Sequence, residues 1–189
     1  MDYIDHYLTQ LESVIHHLSR DEVRAVADAL MEAWRARQQI FIIGNGGSAA
    51  TASHMMNDLN KFTLVEGKKR FRAIALTDNV PFMTAVGNDL SYADVFSEPL
   101  KNLMEAGDTV IAISASGNSP NIVKAIEYAK SIGGRVIGFC GRPGGQLAQM
   151  ADLKVIVPSD HIGQQEDVHM VLDHTLVSAL KERVRQEPT

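Results

Sequence analysis

The sequence predicts an α/β fold, an αβα three-layer sandwich with a five-stranded parallel sheet preceded by N-terminal helices. Short, nearly uninterrupted apolar runs alternate with longer amphipathic stretches, as expected for strands that are covered on both faces and joined by helices. Glycine- and serine-rich loops follow two of these runs, at the edge of such a sheet where ligands bind. These observations place the elements in order along the chain.

Two helices are expected before the first strand. Apolar residues recur at helical spacing over residues 3–37, and residues 19–21 supply a break and a cap. An amphipathic pair at this position is equally suited to covering the sheet or to packing against a second subunit. The sequence leaves both interpretations open.

Five strands and three helices follow from the patterning of the remaining chain. The apolar runs predict strands at 39–43, 72–76, 109–114, 135–139 and 153–157. The stretches between and after them predict helices at 48–59, 120–132 and 166–184. The repeated βαβ order calls for right-handed crossovers. No linker or repeat divides the chain, so we expect one domain over 1–189, with a helical pair at 1–37 and an α/β core at 38–189.

Composition and charge exclude several functional classes. The 189 residues are 45% hydrophobic and carry a net charge of −5, which argues against a general affinity for nucleic acid or anionic membranes. The sequence has no apolar run of membrane-spanning length and does not start like a secretion signal, so we expect a cytoplasmic protein. Cys140 ends an apolar run and is expected to be a buried structural thiol.

Two loops have the features of an anion site. The first strand leads into GNGGS at 44–48, whose glycines permit close backbone approach at a helix N-terminus. The third strand leads into SASGNSP at 114–120, which adds three serine hydroxyls. Neither loop has the lysine of a P-loop or the GxGxxG pattern, so a phosphate ester is favoured over a nucleotide. A serine-rich cap on an ordinary helix is the alternative.

Two predicted helices carry imidazoles and carboxylates. His54 and Asp58 are four residues apart and share a helix face. The final helix contributes QQEDVHMVLDHTL at 164–176, with Glu166, Asp167, His169, Asp173 and His174. Two such helices could build a metal site or a proton-transfer pair, although this spacing is also common on solvated faces.

Four motifs in order resemble one known family. GNGGS with His54 six residues later, VGND at 86–89, SASGNS at 114–119 and the helix over 166–174 resemble the phosphoheptose isomerase branch of the SIS (sugar isomerase) domain proteins. The resemblance covers about residues 2–182. It implies a homotetramer with active sites at subunit interfaces that converts sedoheptulose 7-phosphate to D-glycero-D-manno-heptose 7-phosphate, a step towards bacterial surface heptose.

The resemblance also assigns site residues. It implies that substrate is contacted by Asn45, Gly46, Gly47, Ser48, Asp58, Asn88, Asp89, Ser114, Ala115, Ser116, Ser119 and Glu166. It implies zinc, one ion per subunit, at His54, Asp58, Glu166 and His174, and no nucleotide cofactor.

Three positions depart from the family pattern. Asp58 and Glu166 stand where the family usually has Glu and Gln, and Ala115 replaces a Thr. Helical geometry favours Asp167 over Glu166 as the partner of His174, because Glu166 is about 80° from His174 around the helix whereas Asp167 is about 20° away. The alignment favours Glu166, and Asp167 is kept as the alternative.

The expected mechanism is an isomerisation through a cis-enediol, with Asp58 as base and His174 as acid, unless bound zinc polarises the carbonyl instead. Two other functions stay open. A non-catalytic SIS scaffold or sugar-phosphate sensor is one, although relatives that bind the replication initiator lack the terminal histidine matching His174. An isomerase of another phosphorylated ketose is the other, and the changes at Asp58 and Glu166 make it credible.

Overall fold

The computed structural model describes residues 2–188, within which there are eight α-helices and five strands. The helices are α1 (Tyr3–His16), α2 (Arg20–Ala36), α3 (Gly47–Asn57), α4 (Val80–Asp89), α5 (Ser97–Leu103), α6 (Pro120–Ser131), α7 (Gly145–Met150) and α8 (Ile162–Gln186). The strands are β1 (Ile40–Gly44), β2 (Ala73–Ala75), β3 (Thr109–Ser114), β4 (Arg135–Gly141) and β5 (Leu153–Val157). A π-helical turn (Asp58–Phe62) continues α3.

All strand pairs are parallel, in the order β2-β1-β3-β4-β5. The chain leaves β1 towards β2 on one side, then crosses back and proceeds from β3 to β5 on the other. The strand order therefore reverses between β1 and β3, and a crevice opens beyond their carboxyl ends. The predicted five-stranded α/β fold is confirmed.

The sheet is buried on both faces because its residues alternate between two apolar cores. Ile40 and Ile42 of β1 pack in a cluster with α2, α3 and α8, whereas Phe41 and Ile43 pack in a cluster with α4 to α7. All four are fully buried. Each strand thus reads as a continuous apolar run.

The N-terminal helices form where the sequence places them. Ser19 caps α2, since its Oγ accepts a hydrogen bond from the Glu22 amide at 3.3 Å. The helix ends at Ala36, and the C-cap residue Arg37 has a left-handed φ of 62°. Val26 and Leu30 are fully buried in the same core as β1, so α2 covers the sheet.

Several boundaries differ from the predicted ones. β2 is shorter than 72–76 because Leu76 already begins a 3₁₀ turn (Leu76–Asp78). β4 continues beyond residue 139 to Gly141. α8 begins four residues before the predicted residue 166, because the His161 side chain caps it by accepting a hydrogen bond from the Gly163 amide at 3.1 Å.

Three short helices were not predicted: α4, α5 and α7. The signal for α4 is local, since Asn79 Oδ1 accepts a hydrogen bond from the Phe82 amide at 3.2 Å and Pro81 lies in the first turn.

Cys140 is buried as expected, and burial raises the pKa of its thiol to about 12. None of the helices in the described part of the chain combines the length and hydropathy that a membrane crossing requires.

Candidate active site

A polar pocket lies at the crevice between the loops that follow β1 and β3. Its volume is about 200 Å³. The lining residues are Asn45, Ser48, Ile113, Ser114, Ala115, Ser116, Ser119, Ile162 and Glu166. Seven of these nine are among the residues predicted to bind substrate. The structure therefore brings the two predicted loops together, and it adds the first turns of α8 as a third wall.

The loop after β3 leaves serine hydrogens available to an anion. Ser114 Oγ accepts a hydrogen bond from the Gly117 amide at 3.1 Å, and Ser116 Oγ accepts one from the Asn118 amide at 3.2 Å. A hydroxyl whose oxygen accepts from the backbone can still donate its own hydrogen. Ser119 is the N-cap residue of α6, and within the described residues its side chain makes no capping bond. All three hydroxyls can therefore donate to a phosphate.

Asn45 is held in place by two residues that the sequence did not single out. Its Oδ1 accepts hydrogen bonds from Asn121 Nδ2 at 2.8 Å and from Tyr92 Oη at 3.0 Å. Its own Nδ2 donates to Asn121 Oδ1 at 3.0 Å. These contacts link the glycine-rich loop to α6 and to the 3₁₀ turn (Tyr92–Asp94), and no local pattern could have indicated them.

The glycines of the first loop differ in their surroundings. Gly46 has a φ of 55°, a left-handed conformation that favours glycine, and precedes the first turn of α3. A Cβ built on Gly47 would lie 2.5 Å from Oε1 of Glu166. The half-buried Glu166 side chain thus packs directly over the glycine-rich loop, at the N-terminus of α3.

A second group of polar side chains lies between the end of α3 and the middle of α8. His54, Asp58, Asp173 and His174 each offer one ligand atom, and these atoms lie within 4.8 Å of one another. His54 Nε2 is 3.1 Å from His174 Nε2, 3.4 Å from Asp58 Oδ2 and 3.9 Å from Asp173 Oδ2. We call these four residues the His–Asp cluster. Asp58 opens the π-helical turn, a feature that is frequent at functional sites.

Asp173 is the buried member of the cluster. Its side chain is fully inaccessible to solvent, and neither carboxylate oxygen has a hydrogen-bond partner among residues 2–188. Burial, together with the charge of Asp58 and against the opposing effect of His54, raises the pKa of this carboxyl to about 7. A buried carboxylate without a partner is costly, so this side chain needs a proton or a cation.

Glu166 and Asp167 lie outside the His–Asp cluster. Glu166 lines the polar pocket, about two helical turns before the cluster, and the exposed Asp167 accepts a hydrogen bond from Tyr7 Oη at 2.6 Å. Asp167 does share a helix face with His174, but seven residues separate them by about 10 Å along the axis. The rise along the helix axis thus separates two residues that the angle around the helix alone would place together.

Asn88 and Asp89 lie at the end of α4 with exposed side chains. Asn88 Nδ2 donates a hydrogen bond to Asp89 Oδ1 at 2.7 Å. The polar pocket is lined by neither of them, although Tyr92, three residues further on, reaches Asn45. Their assignment to the substrate remains a prediction.

Comparisons with known proteins agree with this architecture. A family model described as "SIS domain" matches residues 2–141. The probable phosphoheptose isomerase of Thermoplasma acidophilum is 38% identical over 167 residues, which are 88% of this chain and 91% of that protein. The phosphoheptose isomerase of Geotalea daltonii is 36% identical over 174 residues, covering 92% of this chain and 90% of its own.

The fold also matches a solved structure. The phosphoheptose isomerase structure from Neisseria gonorrhoeae superposes with a TM-score of 0.88 at 27% identity, covering 95% of this chain and 97% of that one. The similarity therefore extends over nearly the whole chain, including α8, which lies beyond the residues matched by the family model.

Proposed function

The chain belongs to the SIS domain family, within its phosphoheptose isomerase branch, and from that premise we propose that it converts sedoheptulose 7-phosphate to D-glycero-D-manno-heptose 7-phosphate. One structural observation supports this activity independently of the similarity to known proteins. Ser48 and Glu166 of the polar pocket lie on α3 and α8, the two helices that also carry the His–Asp cluster. An anion site and an acid–base site are thereby held at a fixed separation.

That separation suits a seven-carbon sugar phosphate. On α3, Ser48 and His54 are six residues apart, which is about 9 Å along the axis, and on α8 Glu166 and His174 are about 12 Å apart. Seven covalent bonds join the phosphorus to C2 of sedoheptulose 7-phosphate, which is roughly 9 Å when the chain is extended. A phosphate among the serines would thus allow C1 and C2 to reach the cluster.

The serines and the N-terminus of α6 bind the phosphate end of the substrate. Ser114, Ser116 and Ser119 donate hydrogen bonds, and the helix dipole favours negative charge at this position. Binding at this distant end fixes the reacting carbons against the cluster. Orientation of this kind can supply about 7 kcal/mol or more of the barrier reduction.

The proton transfers belong to Asp58 and His174. Asp58 is largely buried, with 14% of its side chain exposed, and its Oδ1 accepts a hydrogen bond from Asn57 Nδ2 at 2.9 Å. Its carboxylate removes a proton from C1, which gives a cis-enediol, exchanges that proton with solvent, and delivers a solvent-derived proton to C2. His174 moves the second proton from the C1 oxygen to the C2 oxygen, so the C1 oxygen becomes the aldehyde. General acid–base catalysis of this kind contributes about 10² to 10⁴ in rate.

The cluster also has the donors that zinc prefers, namely two imidazoles and two carboxylates. The partnerless, buried Asp173 is the observation that supports a fit, because a cation would compensate its charge. A bound zinc ion would polarise the substrate carbonyl and stabilise the enediolate. The residues of the chain would still determine where the substrate sits.

We propose a homotetramer with active sites at subunit interfaces. Four large apolar side chains of α1 are exposed: Tyr3, Ile4, Leu8 and Ile15. Ile15 also lines an apolar groove of about 350 Å³ between the start of α2 and α8. A surface of this kind fits self-association better than solvent exposure.

We also place the protein in the cytoplasm, which suits a free, buried Cys140 and a phosphorylated metabolite.

The test is conversion of sedoheptulose 7-phosphate by the purified protein, followed by NMR of the sugar. The variant His174→Gln should lose turnover by at least about 100-fold, because it removes the acid, yet it should still bind the phosphate ester. His16→Gln, the same change at an exposed residue of α1, is the control and should behave as wild type. Turnover that survives in His174→Gln would refute the role of His174.

A further inference from the structure

We infer that Tyr92 is a positioning residue of the active site. Through its hydroxyl, and together with Asn121, it fixes Asn45 so that one amide hydrogen of Asn45 is free to bind the sugar chain of the substrate. The inference rests on the proposed function, because it concerns the same pocket and the same substrate. Neither Tyr92 nor Asn121 belongs to the motifs that carry the family resemblance.

The segment that carries Tyr92 is anchored to the rest of the fold. It is a 3₁₀ turn (Tyr92–Asp94), and Asp94 forms an ion pair with Lys124 of α6. Phe96, two residues after the turn, is fully buried in the apolar cluster to which α6 also contributes. The Tyr92 hydroxyl therefore reaches Asn45 from a fixed backbone.

The backbone amide of Ile122 determines the orientation of two side-chain amides. A backbone N–H can only donate, and that of Ile122 donates to Asn121 Oδ1 at 3.0 Å. The same oxygen accepts a hydrogen bond from Asn45 Nδ2 at 3.0 Å, and Asn45 Oδ1 in turn accepts one from Asn121 Nδ2 at 2.8 Å. The Tyr92 hydroxyl donates to that same Asn45 oxygen at 3.0 Å.

These contacts leave Asn45 with one free donor. A carbonyl oxygen has two lone pairs, and Asn121 and Tyr92 engage both of those on Asn45 Oδ1. Nδ2 carries two hydrogens, of which Asn121 accepts one, and the second has no acceptor among residues 2–188. Asn45 lines the polar pocket, so this hydrogen is available to the substrate. Because the serines already serve the phosphate, the donor binds an oxygen of the sugar chain.

The network joins the three loop regions that the resemblance assigns to the substrate. Asn45 belongs to the glycine-rich loop, Asn121 is two residues after Ser119 of the serine loop, and Tyr92 is three residues after Asp89. Loss of the Tyr92 hydroxyl would leave one lone pair of Asn45 Oδ1 free and its amide less restrained. Tyr92 is itself 60% exposed, so its hydroxyl contributes little to the packing of the core.

The experiment is a double-mutant cycle on the kinetics of sedoheptulose 7-phosphate. We expect Tyr92→Phe to raise KM roughly 3- to 10-fold, the range for one neutral hydrogen bond. The value of kcat should stay within about twofold of wild type, because the network includes neither Asp58 nor His174. In an Asn45→Ala background the same change should have no effect, since the hydroxyl acts only through Asn45.

Tyr128→Phe is the matched control, because it removes a hydroxyl from a partly buried residue of α6 outside the network. It should behave as wild type. Equal increases of KM from Tyr92→Phe in both backgrounds would indicate packing and overturn the positioning role. An unchanged KM in Tyr92→Phe would also overturn it.

Inorganic phosphate is the second probe. By calorimetry, Tyr92→Phe should bind it as tightly as wild type, because the serine hydroxyls hold the phosphate and the sugar chain is missing. A loss of phosphate affinity that matches the change in KM would overturn the assignment of the Asn45 donor to the sugar chain.

Failure of the proposed function gives a different pattern. A wild type that binds sedoheptulose 7-phosphate without converting it would refute the isomerase. The dissociation constants of the same four proteins for this sugar phosphate would then test Tyr92, and a loss confined to the background with Asn45 would still support its role. Conversion by wild type without coupling between Tyr92 and Asn45 would support the isomerase and refute the positioning role.

Discussion

Substitution of Gly117 by alanine should damage both stability and substrate binding. Gly117 has a φ of 64°, and a Cβ built on it would lie 1.9 Å from the carbonyl oxygen of Gly144 and 2.6 Å from its carbon. Its own carbonyl accepts a hydrogen bond from the Leu147 amide at 2.9 Å. The serine loop is therefore in backbone contact with the start of α7, where only glycine fits.

The magnitude follows from two costs. An L-residue in the left-handed region costs about 1–2 kcal/mol. Ordinary van der Waals contact begins near 3.4 Å, so the two loops must also separate by about 1.5 Å, the difference from 1.9 Å. Overpacking of this kind typically adds about 1–3 kcal/mol. We therefore expect Gly117→Ala to lose about 2–5 kcal/mol of unfolding free energy. Because the same shift moves the serines, kcat/KM should fall about 100-fold.

Gly67→Ala is the matched control. Gly67 has a φ of 76°, and a Cβ there would meet nothing within 4 Å, so only the backbone cost of about 1–2 kcal/mol applies. Urea unfolding, followed by the fluorescence of the single Trp34 at constant chain concentration, measures both variants. Equal losses of stability, or a Gly117→Ala enzyme with kcat/KM within threefold of wild type, would refute the packing argument.

Two further predictions concern single side chains. Glu166→Gln should bind inorganic phosphate about fivefold more tightly, because it removes a negative charge from the pocket, worth roughly 1 kcal/mol at an accessible site; unchanged or weaker binding by calorimetry would contradict this. His169 is fully buried, and burial lowers the pKa of its imidazole to about 4 against a lesser opposing effect from the Cys140 backbone, to which no hydrogen bond of normal geometry is made. As the pH falls, His169 of the unfolded chain therefore binds a proton near pH 6.5, whereas His169 of the folded chain binds one only near pH 4. The contribution of His169 to the unfolding free energy is thus fully present above pH 6.5 and falls by up to about 3 kcal/mol as the pH drops to 4. Asp173, whose pKa is raised to about 7, has the opposite effect over the same range, so the test is the difference between two proteins. In urea titrations, the unfolding free energy of wild type minus that of His169→Leu should fall by up to about 3 kcal/mol between pH 6.5 and 4; a difference that does not change with pH would contradict the prediction.

The strands were predictable because each lies between two apolar layers and reads as an apolar run, such as TVIAIS over β3. The short helices α5 and α7, of seven and six residues, were not predictable, because so few turns carry no clear periodicity. The two loops of the pocket were predictable because glycine and serine directly follow strands that share one edge of the sheet.

The finer arrangement of the site depends on contacts between distant parts of the chain. Asn45 is held by Asn121, 76 residues away, and nothing local to either residue indicates this pair. Asp173 was among the polar residues that the last helix was seen to offer, but the resemblance favoured Glu166. Spacing along one helix could not decide between them, because the choice depends on where α3 crosses α8.

The most direct test of the account is the reaction of sedoheptulose 7-phosphate with the purified protein in D₂O, with the product examined by NMR. Proton transfer by a side chain that exchanges with solvent predicts an aldose heptose 7-phosphate that carries deuterium at C2. Absence of an aldose product, despite binding of the phosphate ester, would contradict the isomerase. An aldose with no deuterium at C2 would contradict proton transfer by Asp58.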